Sequence, residues 1–399
     1  MKNVCLYFQV HQPRRLKQLD IFKKPFDLEE RYFDDEMNRQ IFEKVSRQCY
    51  TPANEIILKN LDENPDFKVS FSLTGSFIDQ AEKFQPELLD SFKRMADTGR
   101  VEFLNETYYH SLSSLYNDKK EFKRQVLKHA EKIKEIFKVK TKSFRNTELL
   151  YNNDIAREVE KLGYETILTE GKEHVLGWRS PDYVYKAKNS SLKILFRNYK
   201  LSDDIGYRFT AKWWSEYPLT ADKYASWIAS GAGDVANIFI DYESFGEHHW
   251  ADSGILEFLR DLPKKLSSKG VNFETVSEAS KHEVKDEIDV PHLLSWADIE
   301  RDASAWLGNR MQRHCFNELQ DLNVRDEKML DIYGSLQNSD HLYYLCTKNW
   351  NDGDVHKYFS PYKDKNPYEN FVNYINILRD FKAEVSMKKM KENILVTGL

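Results

Sequence analysis

Short runs rich in β-branched and aromatic residues recur along the chain, and between them apolar residues fall three and four positions apart. The runs are "VCLYFQV" at 4–10, "FKVSFSL" at 67–73, "VEFL" at 101–104, "KSFR" at 142–145, "YETILT" at 164–169, "LKILFR" at 192–197, "VANIFID" at 235–241 and "NFETVS" at 272–277. Each predicts a strand. Helices are predicted between them. In 86–98 a proline opens the pattern, Leu88, Leu89, Phe92, Met95 and Ala96 share a face, and Gly99 ends it. In 118–137 the face is Phe122, Val126, Ala130, Ile133 and Phe137, and in 153–163 it is Ile155, Ala156, Val159 and Leu162, closed by Gly163. Strands alternating with helices imply a parallel sheet with crossover helices, and the number of units fits a β/α barrel.

From about residue 290 strand signal fades and helical patterns take over, as in "RDASAWLGNRMQRHCFNELQ" (301–320) and "NPYENFVNYINILRDFKAEV" (366–385). The expected organisation is a barrel over 1–288 and a C-terminal helical domain over 289–399 that shares an interface with it.

Composition narrows the function classes. Of 399 residues, 59 are basic and 64 acidic, so the net charge is −5 and the clustered basic excess of a nucleic-acid binder is missing. The one basic cluster, "MKKMKEN" at 387–393, reads as a solvated helix end. No run approaches the ~20 apolar residues of a membrane span, and the first residues do not read as a secretion signal. The four cysteines (Cys5, Cys49, Cys315, Cys346) are scattered without metal-site or disulfide spacing. The expectation is a cytoplasmic protein with neither membrane nor nucleic-acid partner; the sequence assigns no oligomeric state. Aromatic residues make up 14%, which suits either a large core or a cleft whose rings stack on sugars.

In a β/α barrel, chemistry collects just past the strands. There the chain carries His11-Gln12, Asn105-Glu106-Thr107 with His110, Asn146-Thr147-Glu148, Glu170, Asn198, and Asp241 with Glu243. Polar groups at nearly every strand end predict one polar pocket with several carboxyls and at least two imidazoles. Two chemistries use such a set: glycoside hydrolysis by paired carboxyls, and a metal site with His and Asp ligands. Spacing leaves both open, although the adjacent His248 and His249 point in different directions on any regular element.

Longer stretches resemble glycoside hydrolase family 57. "HQP" at 11–13 is similar to its first motif, "VEFLNETYYHSL" at 101–112 to its second, "FRNTELLYNNDIA" at 144–156 to its third and "FIDYESFGEHHW" at 239–250 to its fourth. "SWADIERDASAWLGNRMQ" at 295–312 and the stretch 337–362 resemble the helical part of the family's α-amylase-like branch, with Ser339-Asp340-His341-Leu342-Tyr343 approximating the fifth motif. The resemblance implies an incomplete seven-stranded (β/α)7 barrel followed by a helical bundle. It also implies retaining chemistry on α-1,4-glucans, by an α-amylase or 4-α-glucanotransferase that needs no cofactor and no metal. Its nucleophile would be Glu148 and its general acid/base Asp241. The expected substrate-binding set is His11, Gln12, His110, Glu243, His248 and Trp250 from the barrel, with Trp306, Asp340 and Tyr343 from the helical part; Trp296 is a further aromatic in reach of the cleft. The expected partner is an α-glucan or maltooligosaccharide. Two alternatives stand beside this reading: a metal-dependent carbohydrate enzyme of the polysaccharide deacetylase or zinc α-mannosidase type, with His11, Asp241 and a further histidine as ligands, and a non-catalytic glucan-binding homologue.

Overall fold

The computed structural model describes residues 2–20, 22–348 and 366–397; the part of the family-like stretch 337–362 that follows residue 348 lies outside them. Among the described residues ten strands form in chain order: β1 (Asn3–Val10), β2 (Val69–Leu73), β3 (Val101–Phe103), β4 (Ser143–Arg145), β5 (Thr166–Glu170), β6 (Val184–Ala187), β7 (Lys193–Arg197), β8 (Val235–Asp241), β9 (Asn272–Phe273) and β10 (Val284–Ile288). Parallel ladders join β8, β1, β2 and β3 in one run and β4, β5 and β7 in another. Asn105 links the runs, donating its N–H to Ser143 and accepting from Arg145 N–H at 3.0 and 2.8 Å. The last seam, between β7 and β8, has no ladder. It is held by Asn198 N–H on the Asn237 carbonyl (2.8 Å) and by Arg197 Nε on the Phe239 carbonyl (2.7 Å). Seven parallel strands therefore close into an incomplete barrel, with helices between them.

The eighth strand predicted from sequence, "NFETVS", supplies only the two residues of β9, which pair with the start of β1. Thr275 then caps a short helix, Val276–Ala279, through a reciprocal capping box with Glu278. Val276 and Ala279 belong to the small apolar cluster inside the barrel, so this segment plugs the floor. Two strands escaped the sequence reading. β6 runs antiparallel to β7, and β10 extends it.

Alternation along the strands separates two environments. On β8, Ile238 and Ile240 join the core under the helices, whereas Val235 and Phe239 join the interior cluster, with Asp241 in phase with them. On β4, Phe144 faces the helices, so Ser143 and Arg145 point into the barrel. The interior is apolar at the floor and becomes polar toward the strand ends, where Gln9, Ser72, Glu106 and Arg145 are all buried.

No strand follows β10 among the described residues. Helices Ser304–Leu307, Arg310–Gln320, Glu327–Leu336, Ser339–Tyr343 and Pro367–Thr397 pack on the β4–β7 side, sharing one core with Phe144, Ile155 and Val159. Backbone bonds between Tyr151 and Leu294 (2.9 Å each way) and from Ser339 N–H to the His110 carbonyl (2.9 Å) tie this region to the loops beyond the strands.

Candidate active site

Glu148 follows β4 by three residues, in a turn that no helix continues. It has φ 58° and Leu149 has φ 53°, two successive left-handed non-glycine residues, each costing ~1–2 kcal/mol. Tertiary contacts hold the turn: Asn146 Nδ2 donates to the Leu150 carbonyl (2.8 Å) and Thr169 Oγ1 to the Leu149 carbonyl (3.0 Å), and the Leu149 side chain is buried. The strain aims the Glu148 carboxyl back over the barrel mouth. Three donors meet it there: Trp296 Nε1 at 2.9 Å on Oε2, Ser339 Oγ at 3.0 Å on Oε1, and His110 Nε2 at 3.3 Å on Oε1. Burial pushes its pKa up. The His110 bond and the positive charges of His110 and Arg145 outweigh burial, leaving Glu148 below the usual carboxylate range.

His110 is buried, and its Nδ1 donates to Glu106 Oε2 at 3.1 Å. Burial alone would neutralise the ring, but the two carboxylates it bridges raise it to about 9, so it is an imidazolium at neutral pH. Glu106 is fully enclosed and also accepts from Gln9 Nε2 (2.9 Å) and Ser72 Oγ; burial is again outweighed by His110, and it sits at about 2. The His11 ring stacks on His110 with centroids 4.0 Å apart. Burial and that positive neighbour push His11 down, toward the neutral form. Its Nδ1 pairs with Thr74 Oγ1 (2.9 Å) and its Nε2 with Asp340 Oδ2 (3.1 Å). Burial opposes ionisation of Asp340, but His11 and the charge of His110 hold it well below the usual range.

Asp241 closes β8 on the inward face. Burial raises it to about 6; Arg145 opposes the rise and the negative Glu148 adds to it. Its carboxyl accepts no hydrogen bond from any described residue, which leaves it open to a ligand. Two residues on, Glu243 accepts from Tyr50 OH (2.5 Å) and His11 N–H (3.1 Å), and burial with the Asp241 charge lifts it to about 8. The site therefore holds carboxyls pushed apart: Glu106, Glu148 and Asp340 ionised, Asp241 and Glu243 disposed to carry protons.

The structure brings His11, His110, Glu148, Asp241, Glu243 and Asp340 into this cluster. Burial and the Asp298 charge push the Tyr343 hydroxyl up, and the Glu148 charge adds to the rise. Gln12 lies a step behind, donating to Tyr50 OH at 3.0 Å and accepting from Arg15. His248 is connected through its backbone, donating to the Glu243 carbonyl at 2.9 Å. Trp250 is 64% exposed and makes no ring contact with the cluster among the described residues, and Trp306, 2% exposed, lies inside the helical core against Tyr343. Trp306 does not occupy the cleft position expected of it: an indole satisfies a core as readily as a sugar platform. Among the described residues no group of three or more His, Cys, Asp or Glu is arranged to hold a metal ion.

Tyr50 escaped the sequence reading, and Ser339 figured in it only as part of the fifth-motif stretch, without a role of its own. Ser339 is an ordinary helix-start serine, and Tyr50 lies far from any strand end. Trp296 gains its place from a loop fixed by a buried ionic quartet. Arg197 and Arg301 both donate to Glu170 (3.0 and 2.8 Å) and to Asp203 (2.6 and 2.9 Å), and Arg301 Nη1 also donates to the Trp296 carbonyl (2.8 Å).

The sequence profile of glycosyl hydrolase family 57 matches residues 5–291. A protein of Methanocaldococcus jannaschii named "Putative alpha-amylase" is 48% identical over 95% of this chain and 84% of its own length. The fold is similar to that of a family 57 branching enzyme from Thermococcus kodakaraensis, with TM-score 0.68, 14% identity, and 95% of this chain and 89% of that one covered. It is also similar to a 4-α-glucanotransferase from Thermococcus litoralis, with TM-score 0.64, 16% identity, and 94% and 60% covered. By profile and by close relative alike, this chain belongs to glycosyl hydrolase family 57.

Proposed function

We propose that the protein is a retaining glycoside hydrolase or transferase acting on α-1,4-glucans, in the manner of an α-amylase or 4-α-glucanotransferase. The observation that carries this reading is the split between two carboxyls at the strand ends: Glu148, held ionised by three donors, and Asp241, raised to about 6 with no hydrogen-bond partner among the described residues. A retaining enzyme needs these two states. In this reading Asp241 protonates the departing glycosidic oxygen while Glu148 attacks the anomeric carbon, giving a covalent glycosyl-enzyme and a free 4-hydroxyl. Asp241, now a carboxylate, takes a proton from water or from an acceptor sugar hydroxyl, whose oxygen displaces Glu148. Water gives hydrolysis and a sugar gives transfer.

His11 and Asp340, beside His110 and Glu148, are the proposed contacts for the sugar in the innermost subsite. The barrel over 1–288 supplies the reacting groups, and the helical part over 289–399 closes the cleft with Trp296 and Ser339. A reducing, cytoplasmic setting belongs to the same proposal, supported by four buried free thiols; no helix among the described residues is long and apolar enough to cross a membrane.

The test is product analysis on amylose and maltoheptaose with the native protein and Glu148→Gln. A net gain of reducing ends identifies hydrolysis, and redistribution of chain lengths without gain identifies transfer. Glu148→Gln is expected to abolish both, and turnover near the native rate in that variant refutes the assignment.

A further inference from the structure

Arg145 ends β4 three residues before Glu148, and its side chain points into the barrel. It is 0% exposed, and none of its three guanidinium nitrogens has a hydrogen-bond partner among the described residues. A buried arginine ordinarily forks onto a carboxylate, because an uncompensated buried cation is strongly destabilising. The neighbouring Arg197 follows that rule within the quartet with Glu170, Asp203 and Arg301. Two of the acids around Arg145 are engaged elsewhere, Glu106 by Gln9, Ser72 and His110, and Glu148 by Trp296, Ser339 and His110, and the third, Asp241, makes no hydrogen bond with it. What Arg145 does meet is the face of Trp296, with its guanidinium carbon 4.8 Å from the ring centroid. The same indole donates its N–H to Glu148, and a cation on the ring face makes that N–H a stronger donor.

We propose that Arg145 is a positioning residue of the glycosyl transfer: an unpaired cation beneath the cleft that seats the Trp296 indole against Glu148 and sets the electrostatic balance between Glu148 and Asp241. An arginine bonded to one carboxylate would shift that group and be neutralised by it. Held by a ring instead, its field reaches both carboxyls from below, through an interior that water screens little. The groups facing it are Tyr7 from β1, Glu106 and His110 from the segment after β3, Glu148 after β4, Arg197 from β7 and Asp241 from β8. Arg145 favours the ionised form of each acid among them. The consequence for turnover is specific. One carboxyl must give a proton and then take one back, so its ionisation must lie near the working pH rather than far above it, and burial alone would carry it too far.

The inference rests on the retaining reading above, and its test separates the two. The pH dependence of kcat and KM on maltoheptaose is measured for the native protein, Arg145→Met and Arg145→Lys. In Arg145→Met both limbs of the kcat/KM profile move to higher pH by about one unit, the low end for loss of a nearby opposite charge. KM stays within about twofold, because a side chain without exposure does not touch substrate, so the loss falls on kcat. Arg145→Lys returns both limbs toward native positions. Limbs that stay in place while kcat falls overturn the proposal, leaving Arg145 a packing residue. Should Arg145→Met not fold, Trp296→Phe replaces it. That variant keeps the charge but loses the N–H on Glu148, so its acidic limb alone moves up; a profile superimposable on the native one overturns the proposal. If the native protein turns over no α-glucan, or Glu148→Gln stays active, the retaining reading fails first and this proposal with it.

Discussion

If Asp241 is the proton donor, its ionisation sets the alkaline side of the activity profile. Its environment raises it from 3.8 to about 6, a difference of roughly 3 kcal/mol. At pH 7 roughly one molecule in ten then carries the proton, where an ordinary aspartate would leave it on fewer than about one in a thousand. Protonated enzyme falls from about half at pH 6 to about one per cent at pH 8, so kcat/KM on maltoheptaose should drop roughly fifty-fold over that interval. The acidic side should begin below pH 4.5, because Glu148 is held below that ordinary value. Asp241→Asn should lower turnover of natural glucans by about 10²–10⁴-fold. The loss in the glycosylation step should be much smaller on p-nitrophenyl maltooligosaccharides, whose leaving group needs no proton. Initial rates from pH 4 to 9 on both substrates provide the assay. A native profile flat from pH 5 to 8, or an Asp241→Asn variant equally impaired on both substrates in pre-steady-state glycosylation, would refute the reasoning.

Two further outcomes follow from the surroundings of the pair. His110 sits at about 9 in the folded protein against an ordinary 6.5, so its contribution, on the order of 3 kcal/mol, is complete below pH 6.5 and lost as pH rises through 9. Native Tm should therefore decline across that window, and calorimetry on His110→Gln should show a shallower decline; an unchanged slope would place the stabilisation elsewhere. Gly246, inside the fourth family-like motif, has φ +126°, and an added Cβ would collide with the Gln48 carbonyl oxygen. Gly246→Ala should lower stability by at least about 1–3 kcal/mol, read as a fall in the urea midpoint, and a native-like midpoint would contradict the close approach.

Much of the fold was legible because its signals are local. Seven of the eight runs read as strands are barrel strands, and the helices over Pro86–Asp97, Lys120–Phe137 and Asn153–Lys161 lie where the spacing puts them. β6 and β10 were hidden because "VYKA" and "VKDEI" are short, partly charged segments whose pairing depends on each other and on β7. The 301–320 stretch, helical by spacing, folds as two helices broken around Gly308 and Asn309, where Asn309 caps the second.

By itself, then, the sequence determined the alternation of strands and helices, the polar residues just past each strand, and the motif-bearing segments that contain Glu148 and Asp241. The tertiary structure decided which of those residues meet. Asp241 acquires its raised ionisation from burial beside a carboxylate from the turn after a different strand, and Glu148 its partners from Trp296 and Ser339 in the helical part, more than a hundred residues away along the chain. It also decided that Arg145 points inward and that Trp306 fills a core. Residue type and spacing report what a side chain is able to do; its charge state and its neighbours depend on the dielectric and contacts that only closing the barrel creates.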